Sequence, residues 1–312
     1  MTNKYRYLEY GATQQRIAAG AARYSQSYAN LFRRPGMSNA EWVQLLRLAY
    51  PQLVTLRRQS AEVSRQFYDR ERQVYHPELP RFERPLERTD FRGFLKSMEP
   101  VRQKMIQPET PEPVVAEFTL RFTRSVEMAG RRQMIDMVES DEAVAEKLAE
   151  RPARALVDVN RPVQRWARVA TGRETCAWCL MLVSRGAVYR SARSGGSKFD
   201  DESSVRAYVE DSEINEYMNE WHTGCDCKVI PVFDLADWPG QDAQKRALDL
   251  WVEAGLKADA ELADNPDKKY FSHKESRWLP TTVNRETINQ LRKMIEAGQI
   301  SPSEWAVLHQ AA

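Results

Sequence analysis

Apolar residues recur every three or four positions along most of this chain, the spacing of helices with one buried face. Residues 1–34 carry Leu8, Ile17, Ala21, Tyr24 and Tyr28 loosely on one side, and Arg33-Arg34-Pro35-Gly36 closes the segment. Ser38-Asn-Ala-Glu41 is a capping box. Trp42, Leu45, Leu46, Ala49, Leu53 and Leu56 then predict a helix that continues through Val63, Phe67 and Val74. Pro51 is expected to kink or restart it. Residues 77–88 read as an extended connector, Asp90–Ile106 as a short helix, and Gln107–Pro113 as a linker. Two helices are expected next, over Val114–Val138 and Ser140–Arg151, with Ser140 capping the second.

Further on, Arg161–Ala170 is expected to be a short helix, Val188-Tyr189 a strand and Ser191–Ser197 a flexible loop. Ser203–Trp221 reads as an acidic helix and Lys228–Phe233 as a strand. Gln241–Asp264 is helical, with Ala247, Leu248, Trp251, Ala254, Leu256 and Leu262 available for packing. Asn265–Pro280, carrying Tyr270, Phe271 and Trp278, reads as an aromatic strap over another surface. A last long helix, Asn284–Ala297, stops at Gly298, and Ser301–His309 adds a turn or two.

The fold class that follows is mainly α, with a small α+β Cys/His-clasped core and helical N- and C-terminal extensions. Three regions are expected: an Arg-rich helical segment 1–110, a core 114–233, and a helical extension 234–312 with the strap. Only 13 glycines in 312 residues argue against an all-β fold full of tight turns.

Charge changes the picture only locally. The net charge of +2 predicts neither nucleic-acid nor membrane binding. Residues 1–110, however, hold 19 Lys and Arg against 11 Asp and Glu. Arg33, Arg34, Arg57 and Arg58 are the candidate docking cations, for an acidic protein surface or for DNA. Solvated helix faces with internal Glu–Arg pairs explain the same residues. No apolar run is long enough to span a membrane, and the N-terminus lacks the apolar core of a signal peptide. Synthesis and folding in a reducing cytoplasm are therefore expected.

All four cysteines lie in two clusters, Cys176-Ala-Trp-Cys179 and His222-Thr-Gly-Cys225-Asp-Cys227, separated by residues 180–221. In a reducing compartment such clusters point to metal or redox chemistry before structural disulfides. A Cys-x-x-Cys turn and a later Cys/His cluster are the grammar of structural zinc, which takes four ligands. Five candidates for four positions leave one spare, and the Cys225-x-Cys227 spacing makes ligation by both thiols awkward. Disulfides between the clusters, redox thiols and inert buried thiols compete with this reading. A catalytic zinc site is a further alternative, but the deaminase His-x-Glu signature is missing, since Gly224 stands two after His222. His-Glu-x-x-His, a Gly-x-Ser-x-Gly elbow and a phosphate-binding glycine loop are also missing. No enzymatic activity is expected.

Arg168-Val-Ala-Thr-Gly172, Cys176-Ala-Trp-Cys179-Leu-Met-Leu-Val-Ser-Arg-Gly186 and His222-Thr-Gly-Cys225-Asp-Cys227-Lys-Val-Ile-Pro231 together resemble the phage Mu F-like (MuF-like) minor head protein family, in the branch of actinobacterial phages. The resemblance covers about residues 115–233. It implies a minor capsid protein of head morphogenesis that associates with the portal protein and stays in the virion, in the head interior or at the portal vertex. The major capsid protein and packaged DNA are further partners it implies. The family's Cys/His set maps onto Cys176, Cys179, His222, Cys225 and Cys227. The protease or toxin domains fused to some relatives have no counterpart here. An alternative function is DNA binding inside the head through the basic N-terminal helices.

Overall fold

The Ser38–Glu41 capping box forms as expected. In the computed structural model the Ser38 hydroxyl accepts from the Glu41 amide, and the Glu41 carboxylate accepts from the Ser38 amide at 2.8 Å. The structure describes residues 3–32, 36–78, 86, 90–106, 113–149, 162–170, 175–192, 195, 227–272 and 276–301; side chains of 3–8, 113, 142–149, 227 and 228 are not described. The expected helices 203–221 and 301–309 lie outside these residues, apart from Ser301. The chain divides into two compact units, residues 9–162 and residues 163–312 with 1–8.

Among its described residues, the regular structure of the first unit is all helical. It contains α1 (Asn3–Leu31), α2 (Asn39–Tyr75), α3 (Phe91–Ser97), α4 (Glu99–Met105) and α5 (Pro113–Ala149). Helix α2 runs unbroken through Pro51. The expected single helix 90–106 is two, because Pro100 enters at the first turn of α4, where a missing N–H costs nothing. The expected break at Ser140 is absent: Ser140 caps nothing, and its hydroxyl donates back to the Asp136 carbonyl within α5.

Contacts between α2 and α5 advance together along both helices, from Trp42–Phe118 through Arg57–Ser125 to Arg72–Asp141, so the two run parallel. The segment containing α3 and α4 returns the chain between them. Helix α1 runs antiparallel to α2, with Gln14 beside Ser60 and Glu9 beside Arg70. The first half of the α2–α5 seam is apolar. Trp42, Leu45, Leu46, Ala49 and Leu53 meet Val114, Phe118, Phe122 and Val126, joined by Phe94, Met98, Val101 and Met105 of α3 and α4. Burying each large side chain contributes about 1.5–3 kcal/mol.

The second half of that seam is polar. Arg57 donates to the Ser125 hydroxyl at 2.7 Å. Gln14, Ser60 and Ser64 bond one another at 2.8–2.9 Å around Gly130, where α5 comes closest. Tyr68 and Arg72 both donate to the buried Asp141 carboxylate. These groups are paired, which offsets the cost of burying them.

The second unit contains β1 (Arg165–Ala170), α6 (Ala177–Ser184), β2 (Cys227–Val232), α7 (Gln241–Asp264), β3 (Lys269–Ser272), β4 (Arg277–Pro280) and α8 (Val283–Glu296). Residues 165–170 were expected to be helical and form a strand instead. Strand β2 pairs antiparallel along the whole of β1, and Tyr189 exchanges both backbone hydrogen bonds with Trp166. A short apolar run reads equally as strand or helix; a bonded neighbour on each side decides for the strand. Helix α6 is almost entirely apolar and buried, with Trp178 half-buried, and it packs against β1, α7 and α8.

The expected strap is a β-hairpin. Lys268, just before it, bridges the Glu261 carboxylate of α7 at 2.7 Å and that of Glu286, wholly buried in α8, at 3.2 Å. Helices α7 and α8 end close to the predicted positions, with Gly298 in the left-handed region that its role as a stop requires.

Candidate functional site

The register of β1 and β2 sets the geometry of the cysteine region. Ala170, the last residue of β1, lies opposite Cys227, the first of β2. Six residues beyond Ala170 the chain reaches Cys176, and Ala170 packs in one buried cluster with Ala177 and Leu180 of α6. Opposed Cα atoms in an antiparallel ladder are about 4.5–5.5 Å apart. The backbone of Cys227 therefore lies at the end of the ladder from which the chain leaves for α6.

Cys176 is the N-cap of α6, in an extended conformation, and its Sγ accepts the Cys179 amide at 3.4 Å. Serine or threonine usually fills this position. An amide directed at sulfur satisfies one orphan donor of the helix and suits a thiolate ligand as well. Cys179 is fully buried and Cys176 partly so. His222 and Cys225 lie outside the described residues, and of Cys227 only the backbone is described. Among the described residues no group of three His, Cys, Asp or Glu side chains converges as a metal site.

Two supports of this region were not anticipated. Arg168, buried in β1, donates through Nε to the Gly195 carbonyl at 2.6 Å and so ties the expected flexible loop to the sheet. A Cβ at Gly195 would stand 3.0 Å from a Val229 methyl carbon, so the loop passes close to β2 at this glycine. The second support is Gln244 of α7, whose side chain donates to the last carbonyl of α6, that of Ser184, at 3.1 Å. An alternation of buried arginine and glycine carries no periodic signal, so neither contact was legible beforehand.

The candidate docking residues fall in different places. Arg33 and Arg34 lie outside the described residues. Arg57 is buried and engaged with Ser125, so it belongs to the helix interface, whereas Arg58 is exposed. Tyr270 lies beneath the Arg285 guanidinium, 3.6 Å from its ring centre. Phe271 and Trp278 face each other across the hairpin, edge to face at 5.6 Å, on its exposed side; Trp278 is 64% exposed. No described helix is long and apolar enough to cross a membrane.

A mainly helical chain with a cysteine-capped helix beside a two-stranded ladder is thus defined, and its relatives are proteins of bacteriophages. The chain belongs to the VG15 protein family, whose pattern matches residues 1–254. It is 42% identical over 299 residues to the Gene 15 protein of Mycobacterium phage D29, an alignment covering 93% of this chain and 99% of the relative. It is 39% identical over 315 residues to the Gene 15 protein of Mycobacterium phage L5, covering 96% and 98%. No solved structure matches the chain significantly.

Proposed function

We propose that this chain is a MuF-like minor head protein, a structural and non-enzymatic component that associates with the portal protein during head assembly. Its membership of a bacteriophage family supports the setting. The observation that carries the reading further is the register of Ala170 with Cys227. The two halves of the MuF-like motif are separated by residues 180–221, and a clasp between them needs the chain to return to the start of α6. The ladder makes that return.

Four of Cys176, Cys179, His222, Cys225 and Cys227 would hold a structural zinc. Cys176 and Cys179 share one helical turn, and Cys227 enters β2 beside the strand that leads to them. The ion would close the excursion between the clusters and contribute folding free energy. Disulfides are the competing chemistry. Zinc content beside the thiol count separates the two. One zinc per chain, with thiols titrating only after chelation, supports the clasp; no metal and no titratable thiols after denaturation sinks it.

The exposed pair Phe271 and Trp278 is the proposed docking surface for the portal protein. Capture of this chain by the co-expressed portal protein of the encoding phage tests the role. Capture that Trp278→Ala weakens at least tenfold supports it, and absence of capture together with absence from purified virions refutes it. The major capsid protein is the control bait.

DNA in the head is a second partner class, favoured by Arg47 and Arg58. Both are exposed on one face of α2 without an ion pair to any described residue. Most neighbouring arginines are engaged internally: Arg57 with Ser125, Arg65 with Glu62, Arg70 with Glu9, Arg72 with Asp141. Among the described arginines of α2, that leaves Arg47 and Arg58 for phosphate contacts. Salt-dependent binding lost in the Arg47→Glu, Arg58→Glu double variant would reverse this ordering.

A further inference from the structure

Helix α7 is built inside out. Its buried positions are Ala243, Ala247, Ala254 and Ala258, while Leu248, Val252 and Leu256 are 42%, 54% and 68% exposed. Small inward residues bring α7 close to α6 and α8. The large aliphatic residues were expected to pack, and Leu248 and Leu256 instead face outward. Spaced by four, Leu248, Val252 and Leu256 form one stripe along the helix. Helical geometry also places Lys245 and Asp259, seven residues either side of Val252, on this stripe. A solvent-facing helix surface is ordinarily polar, and a continuous aliphatic stripe marks a contact.

We propose that this stripe is the contact between two copies of the chain, an antiparallel α7–α7 pair centred on Val252. The charges select this occupant. In such a pair Val252 meets its own copy, Leu248 lies beside Leu256, and Lys245 lies beside Asp259, each of the last two contacts occurring twice. Neither Lys245 nor Asp259 has an ion-pair partner among the described residues. The other charges along this side are Asp242, Arg246 and Asp249, which border the stripe, and Glu253 and Lys257, which pair with each other at 2.8 Å. A parallel pair would instead set Lys245 on Lys245 and Asp259 on Asp259.

The helix is 24 residues long, about 36 Å, and about 10 Å wide. Its footprint is roughly half the ~800 Å² per partner of a standard stable interface. The association is therefore weak and depends on concentration.

Sedimentation of the full chain from low micromolar to several hundred micromolar tests the proposal. A monomer–dimer equilibrium is expected. Val252→Arg places two guanidinium groups on the symmetry axis and should leave monomer at every concentration, with an unchanged circular dichroism spectrum and thermal midpoint. Lys245→Glu and Asp259→Lys should each weaken the dimer about tenfold. The double exchange, which restores the pairing in reverse, should recover the original constant within about threefold. A wild-type chain that stays monomeric overturns the proposal. So does a dimer indifferent to Val252→Arg, or a double exchange as weak as the single variants.

Discussion

Ala170 and Cys227 face each other across the β1–β2 ladder, at the end where β1 leaves for the Cys176 cap of α6. The contact lies where β2 begins and where the chain leaves β1 for α6. Any group that disturbs it acts on the sheet and on α6 at once.

Ala170 is fully buried and packs against Ala177 and Leu180. Ala170→Asp puts an unpaired carboxylate into that cluster and is expected to cost more than about 3 kcal/mol. Loss of the cooperative transition of residues 163–312 in thermal unfolding is the readout, with a Ser replacement expected to be much milder.

Gly130 and Gly20 predict opposite signs for the same substitution. A Cβ at Gly130 would stand 2.5 Å from Ser60 Oγ and 2.8 Å from Ser64 Oγ, while nothing lies within 4 Å at Gly20. Gly130→Ala is expected to destabilise by about 1–3 kcal/mol despite better helix propensity. Gly20→Ala is expected to stabilise by about 0.5–1 kcal/mol. Denaturant midpoints of the two variants check both signs.

The Arg72–Asp141 pair is buried, and Tyr68 donates to the same carboxylate at 2.9 Å. Asp141→Ala should cost about 3–5 kcal/mol because it takes from the buried Arg72 charge and the Tyr68 hydroxyl the carboxylate to which both donate. Arg72→Met combined with Asp141→Leu should recover most of that loss. A double variant as unstable as the single one would mean that the pair itself, and not the stranded charge, holds the helices.

Lys268 gives the hairpin a pH dependence at both ends. Its hydrogen bond to Glu261 holds the Glu261 carboxyl below its ordinary value of 4.5. The same bond, aided by Glu286, holds the Lys268 amine above 10.5 against the opposing effect of desolvation. The Glu261 contribution is present above pH 4.5 and is lost as pH falls through the lowered folded value. The Lys268 contribution is present below pH 10.5 and is lost as pH rises through the raised one. Lys268→Gln should flatten both limbs of a stability–pH profile and lower the plateau, since among the described residues Glu286 keeps the Gln290 and Asn289 amides as side-chain donors.

Most helices were legible because their signals are local. The Ser38–Glu41 box, the Trp42–Leu56 spacing and the Gly298 stop act within a turn or two of chain. Errors came where distant partners overrule local preference. Arg165–Ala170 is a strand because β2 and Tyr189 supply its hydrogen bonds. Ser140 carries a capping residue's identity inside a helix that tertiary packing carries through.

A mainly helical chain and the two cysteine clusters follow from periodicity and motif spacing, which are properties of neighbouring residues. The rest depended on how distant segments pack. That packing set the parallel run of α2 and α5 with its polar half, and it pointed the aliphatic stripe of α7 outward. It also laid Cys227 against Ala170. Which face of a helix is covered, and which residues meet across a ladder, depends on partners far along the chain, and no local pattern encodes them.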